Sequence, residues 1–151
     1  MIRTATPGDI PAMRRLAADA ATAGQWSGAQ YERIFKPAPQ RVVLVAEEER
    51  EVQGFLVAAA AGPEWEIENL AVDAAARRRG VATALLQHFL DWARRQDAEG
   101  VFLEVRQSNA AARSLYEKAG FVQSGWRPRY YSRPAEDALL YRLSFPKAEL
   151  H

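Results

Sequence analysis

The chain has 151 residues, 48% of them apolar and 26% charged, with a formal net charge of +1. That length and composition predict one folded domain over residues 1–151 with a real core; the balanced charge excludes the global basic field by which nucleic-acid binders hold their ligand. There is no cysteine, and the histidines are His88 and His151, which excludes disulfides, thiolate metal sites and a cysteine nucleophile and argues against a histidine-based metal centre.

Met1-Ile2-Arg3-Thr4 turns polar at once and no long apolar run follows. Neither a secretory signal nor a membrane span is expected, and a cytoplasmic location is the simplest one. Residues 2–5 read as a first strand. Thr6-Pro7-Gly8-Asp9 reads as a turn, with Asp9 as the N-cap of a helix carrying Ile10, Met13, Leu16, Ala17 and Ala20 on one face to about Ala23. Ser27 caps a second short helix with Tyr31, Ile34 and Phe35 on one face, and Pro37-Ala38-Pro39 breaks it.

Residues 41–47 and 51–60 are β-rich runs joined by a charged turn, the pattern of a hairpin. After a turn at Gly62-Pro63, residues 65–72 form the next strand. The stripe Val81, Leu85, Phe89, Trp92, Ala93 predicts a helix to about Gln96, with Arg94 and Arg95 placed where the helix dipole favours cations. Residues 101–105 are short and mostly apolar, as in a central strand. Residues 109–119 form a helix that Gly120 ends. Residues 121–126 and 138–143 close the chain as strands around an Arg- and Tyr-rich connection. The order β-α-α-β-β-β-α-β-α-β-β predicts a mixed α/β sheet with helices packed on it.

One segment points to a ligand. Arg77-Arg78-Arg79-Gly80-Val81-Ala82 follows a strand and opens a helix. The first N–H groups of a helix have no internal partners, and the macrodipole places partial positive charge there. Gly80 admits close backbone approach and Ala82 keeps it open. The expected guest is a phosphate or pyrophosphate. Neither the Walker pattern nor the full dinucleotide fingerprint is present.

The pattern Arg/Gln-x-x-Gly-x-Gly/Ala after a strand resembles the acyl-CoA pyrophosphate loop of the GNAT N-acetyltransferase superfamily. Further segments match that superfamily in the same order: residues 66–73 (Glu-Ile-Glu-Asn-Leu-Ala-Val-Asp), Leu103-Glu104-Val105-Arg106, Ser108-Asn109-Ala110-Ala111, and residues 115–121 (Leu-Tyr-Glu-Lys-Ala-Gly-Phe). Within it, Arg129-Tyr130-Tyr131, Glu136-Asp137-Ala138 and Trp26-Ser27 are similar to the RimI-type ribosomal-protein alanine N-acetyltransferases, although Gln25 stands where that group commonly has proline. The resemblance implies a GNAT fold, with a mixed, mostly antiparallel central sheet of about six to seven strands and about four helices.

It also implies acetyl transfer from acetyl-CoA, without a metal, to a protein or peptide α-amine. The alternatives are a small amine or amino acid as acceptor, or an acyl-CoA sensor without turnover. A monomer or homodimer is expected. The amine must be neutral to attack: a peptide α-amine is about one-seventh neutral at pH 7, a lysine about once in 2,500. By resemblance Glu104 is the base and Tyr116 the acid, and Glu66 is a rival base. Leu70, Ala71, Val72, Arg77, Arg78, Arg79, Gly80, Val81, Ala82, Thr83, Asn109 and Tyr116 would hold the cofactor, with an N–H near Ala71-Val72 at the oxyanion. Trp26, Tyr31, Arg129, Tyr130 and Tyr131 would face the acceptor, with Arg127 and Arg133 nearby.

Overall fold

The structure is a computed structural model and describes residues 1–20, 26–77, 79–132 and 135–146. Its elements are β1 (Ile2–Thr4), α1 (Ile10–Asp19), α2 (Gly28–Arg33), β2 (Arg41–Glu48), β3 (Glu51–Ala61), β4 (Glu64–Val72), α3 (Val81–Arg95), β5 (Gly100–Arg106), α4 (Ala110–Lys118), β6 (Val122–Ser132) and β7 (Ala135–Ser144). The strands form a seven-stranded sheet in the order β1-β2-β3-β4-β5-β7-β6. Every neighbouring pair is antiparallel except β4 with β5. The mixed, mostly antiparallel α/β sheet with four helices is the expected one.

The two faces of the sheet bury different residues. Val43, Val45, Phe55 and Val57 join Met13, Leu16 and Tyr31 in a core beneath α1 and α2. Leu44, Ala46, Leu56 and Ala58 face the other way, into a larger core with Leu85, Phe89 and Tyr116 from α3 and α4. Covering both faces explains why β2 and β3 read as nearly continuous apolar runs rather than alternating ones. Their hairpin closes Glu48 on Glu51 through Glu49 and Arg50, at φ 50° and 67°, the backbone signs that match the twist of a two-residue turn.

Three expectations need correction. The first helix ends at Asp19, where Ala20 turns extended at ψ 95°; the rest of the expected helix, to about Ala23, lies outside the described residues. Asp9 does not cap α1 with its side chain. Its carboxylate accepts the Thr6 N–H at 2.8 Å and two Arg3 guanidinium bonds at 2.9 Å, while Arg3 also reaches Glu47 at 2.7 Å. This network ties β1 to α1 and β2, and Arg3 holds the Asp9 carboxyl below the usual carboxylate range.

The third correction concerns the Arg- and Tyr-rich connection, most of which is strand. Arg127 pairs with Ala138 and Tyr131 with Glu136, so β6 carries extra residues across that stretch and bulges there. Arg129 sits in the bulge at φ 52°, and its N–H donates to Asp137 Oδ1 at 2.9 Å. An edge strand accommodates such a run because only one side of it must match a neighbour.

No helix among the described residues is long and apolar enough to cross a membrane. The sheet is tightest where β5 begins. A Cβ added to Gly100 would stand 2.6 Å from the Leu143 carbonyl oxygen on β7. Gly100→Ala is therefore expected to destabilise the fold by about 1–3 kcal/mol, as overpacking against backbone does. Urea unfolding of the two proteins measures this; equal midpoints would show that β5 and β7 are less closely apposed.

Candidate active site

The site originates in a failure of strand pairing. β4 and β5 pair only through Glu64, Trp65 and Glu66 with Gly100, Val101 and Phe102. On the other side of β4, Val57 pairs with Asn69 and Ala58 with Ile67, leaving Glu68 as the extra residue of a β-bulge. A bulge bends its strand, and beyond Glu66 the two strands part. Residues 67–72 and 103–106 then line a cleft of about 960 Å³ that reaches from Glu104 to Tyr116 and the start of α3.

Each strand sends alternate residues to opposite faces. On β5, Val101, Leu103 and Val105 enter the core beneath α3 and α4, so Glu104 and Arg106 point to the face covered elsewhere by α1 and α2. Tyr116 comes from α4 on the opposite face, 6% exposed, its ring edge-on to Phe121 at 5.5 Å. Glu104 and Tyr116 both line the cleft, so the parted strands form a passage between two faces that a continuous sheet would separate. Tyr116 makes no hydrogen bond through its hydroxyl among the described residues, and burial raises its pKa well above that of an ordinary phenol.

At the other end, Gly80 precedes α3 in the left-handed region at φ 76°, a conformation glycine adopts without steric cost. Arg77, Gly80, Ala82 and Thr83 line the cleft there, as do Leu70, Ala71 and Val72. Arg77 also donates to the Val72 carbonyl at 3.4 Å. Arg79 is exposed and Val81 packs toward the core, so neither belongs to the lining; Arg78 lies outside the described residues. Asn109 lines the cleft, but its Oδ1 accepts the Ala112 N–H at 3.1 Å and so caps α4.

The carboxylates form a coupled group. Glu104 meets Arg127 at 3.4 Å. Glu68 pairs with Arg41 at 2.8 Å. Glu66 stands beside the cleft instead of in its wall. Desolvation raises its pKa most, the negative charges of Glu68 and Glu104 raise it further, and Arg127 opposes them.

The expected acceptor residues separate. Tyr131 lines the cleft. Tyr130 is 52% exposed and Arg129 occupies the bulge outside the lining. Tyr31 is 1% exposed and packs edge-on to Trp26 at 5.5 Å within the α1–α2 core, so neither ring reaches the cleft surface. Sequence reasoning missed Asp19, Asn69, Ser114 and Lys118, which also line it. Two successive polar residues, Glu68 and Asn69, interrupt the alternation of β4 and were the available sign of the bulge.

The sequence pattern of the acetyltransferase (GNAT) family matches residues 10–121. The chain belongs to that family. As a GNAT protein it is 42% identical over 77 residues to the ribosomal protein bS18-alanine N-acetyltransferase of Escherichia coli, a match covering 50% of this chain and 52% of that one. The chain spans about half the length, or less, of the first curated relatives it matches. The crystal structure of the Escherichia coli ribosomal-protein-S18-alanine N-acetyltransferase superposes with a TM-score of 0.87 at 27% identity, covering 100% of this chain and 98% of that one. Ard1 from Thermoplasma volcanium gives 0.87 at 31%, covering 97% and 98%.

The Glu66 geometry has a stability consequence. A carboxyl raised in the folded state favours folding below its unfolded pKa, and that contribution is lost as pH rises through the folded pKa. Glu66→Gln is thus expected to stabilise the protein at pH 8 and to make little difference near pH 4. Urea midpoints at both values test the sign, and a loss of stability at pH 8 would contradict the burial of this charge.

Proposed function

We propose that this GNAT protein moves an acetyl group from acetyl-CoA to the α-amine of a protein or peptide, with Glu104 as base and Tyr116 as acid. The observation that carries the reading is the approach of these two side chains to one cleft from opposite faces of the sheet. Acetyl-CoA supplies the acetyl group as a thioester. The cleft fits it: the left-handed Gly80, the small Ala82 and the N–H groups opening α3 suit a pyrophosphate, and the edge of β4 released by β5 offers backbone partners to the pantetheine amides.

On the acceptor side, Glu104 takes the proton that the amine loses as the bond from nitrogen to the acetyl carbon forms. Arg127 pairs with Glu104 at 3.4 Å. Tyr116 donates to the sulfur as the carbon–sulfur bond breaks. The departing thiolate, whose thiol ionises near about 8.5, is a weaker base than an ordinary tyrosinate, and burial widens the gap. Tyr116 therefore stabilises the departing sulfur through its hydrogen bond and completes the transfer late. An α-amine suits a single carboxylate base, because it ionises close to neutral pH. The RimI-like segments and the relative that acts on an alanine N-terminus support this acceptor class.

Thiol release from acetyl-CoA should occur with peptides bearing free Ala, Ser or Met N-termini and should exceed that with N-blocked lysine peptides or free amino acids. Glu104→Gln should lower kcat about a hundredfold or more with acetyl-CoA affinity unchanged. Release with small amines alone would move the reading to the small-molecule acceptor, and acetyl-CoA binding unaccompanied by any turnover would favour the sensor.

Tyr116→Phe should slow turnover while sparing acetyl-CoA binding. In the parent protein the burial of Tyr116 keeps its proton in place, so no alkaline fall in kcat is expected up to pH 9. A loss centred near pH 8 that Tyr116→Phe abolishes would reverse the assignment.

A further inference from the structure

Arg106 is absorbed by none of the chemistry above, although it lines the same cleft. Its guanidinium carbon lies 4.0 Å from the centre of the Tyr131 ring. Its Nη1 donates to Glu136 Oε1 at 3.0 Å. Glu136 also accepts the Ser108 N–H at 3.1 Å and the Ser108 hydroxyl at 3.0 Å. The Gln107 N–H donates to the Asp137 carbonyl at 3.2 Å, and the Asp137 side chain accepts the Arg129 N–H in the bulge of β6. Four segments converge here: the end of β5, the loop into α4, the bulge of β6 and the start of β7.

We infer that Arg106 is a positioning residue for acceptor binding, which holds the Tyr131 ring as a fixed wall of the cleft beside Glu104, with Glu136 and Ser108 holding Arg106 in turn. The inference rests on the α-amine reading of the site. Its physical basis is the rigidity of the bracket. An arginine side chain has considerable rotamer freedom, and here one end is fixed by a half-buried carboxylate that itself has further partners. A planar cation stacked on an aromatic face resists tilting of that ring. Tyr131 needs such support because the bulge beside it removes the regular ladder contacts that would otherwise fix its strand. Tyr131 and Glu104 both line the cleft, and Glu104 contributes to the environment of the Tyr131 hydroxyl, with desolvation the larger influence.

The test is a double-mutant cycle. Arg106→Gln should raise the KM for an α-amino peptide about five- to tenfold and leave the KM for acetyl-CoA within about twofold. Arg106→Lys, which keeps the charge but loses the planar stack, should fall between. In a Tyr131→Ala background, Arg106→Gln should add little, since it acts through the ring already removed. Equal rises in both KM values, or full additivity with Tyr131→Ala, would overturn the inference. An arm independent of turnover uses fluorotyrosine-labelled protein, with the Tyr131 resonance assigned by Tyr131→Phe. Arg106→Gln should shift that ¹⁹F signal and leave those of Tyr31 and Tyr116 in place; an unmoved Tyr131 signal also overturns it. Absence of peptide turnover in the parent protein would refute the acceptor assignment instead, with the ¹⁹F result still deciding whether Arg106 holds Tyr131.

Discussion

The arrangement of this protein depends on the backbone pairing that β4 and β5 give up. Two parallel strands begin together, hold for three residue pairs and then separate. Unpaired backbone groups are costly when buried, so the opening persists only where something can satisfy them and where the strands are held from outside. The strands are held from outside. β4 is paired along its length with β3, and β5 with β7. The closed end is fastened by the Glu99 N–H to the Pro63 carbonyl at 2.8 Å, the Phe145 N–H to the Glu99 carbonyl at 2.9 Å, and the Arg142–Glu64 ion pair. The sheet behaves as a V with a pinned apex, and the bulge at Glu68 sets the direction in which one arm bends.

From that opening follows the division of labour between the faces. Glu104 and Tyr116 belong to opposite faces of the sheet, and the gap between β4 and β5 opens the cleft to both. Their environments differ accordingly. Tyr116 is surrounded by aromatic and aliphatic side chains, so its neutral form is favoured. Glu104 has a half-exposed arginine for a partner, and Glu66 shares its surroundings without that direct ion pair. Of these two carboxylates Glu104 lines the cleft, while Glu66 stands beside it, where desolvation and its acidic neighbours raise its proton affinity.

Local chemistry was the most legible part of the sequence. Ser27 was readable as a cap because capping needs only a short polar side chain and the N–H groups two or three residues on, whereas Asn109, expected at the cofactor, caps α4 as well. The basic turn into α3 was readable because Gly80 must supply a left-handed residue there. The resemblance placed Glu104 and Tyr116 in the same cleft. Tyr31 was misleading for a physical reason: an aromatic at helical spacing looks the same in sequence whether it faces a substrate or a core, and only the packing of α1 over β2 and β3 decides. The run from Trp126 onward was misread as a connection because its composition is that of a loop. The partner that makes it a strand is β7, and its extra residues appear only in the register. That register is also what brings Arg127 to Glu104.

The same reasoning explains why the residues around Glu136 matter more than their composition suggests. The Tyr131 side and the Tyr116 side of the cleft are joined through the short segment from Arg106 to Asn109. Arg106 stacks on Tyr131, Ser108 bonds Glu136, and Asn109 caps the helix that carries Tyr116. Its backbone is anchored at Gln107, whose N–H donates to the Asp137 carbonyl and whose carbonyl accepts from Arg113. The end of β5 thus reaches the helix that carries Tyr116 through four residues, held to β7 at Gln107 and Ser108 and continuous with α4 at Asn109.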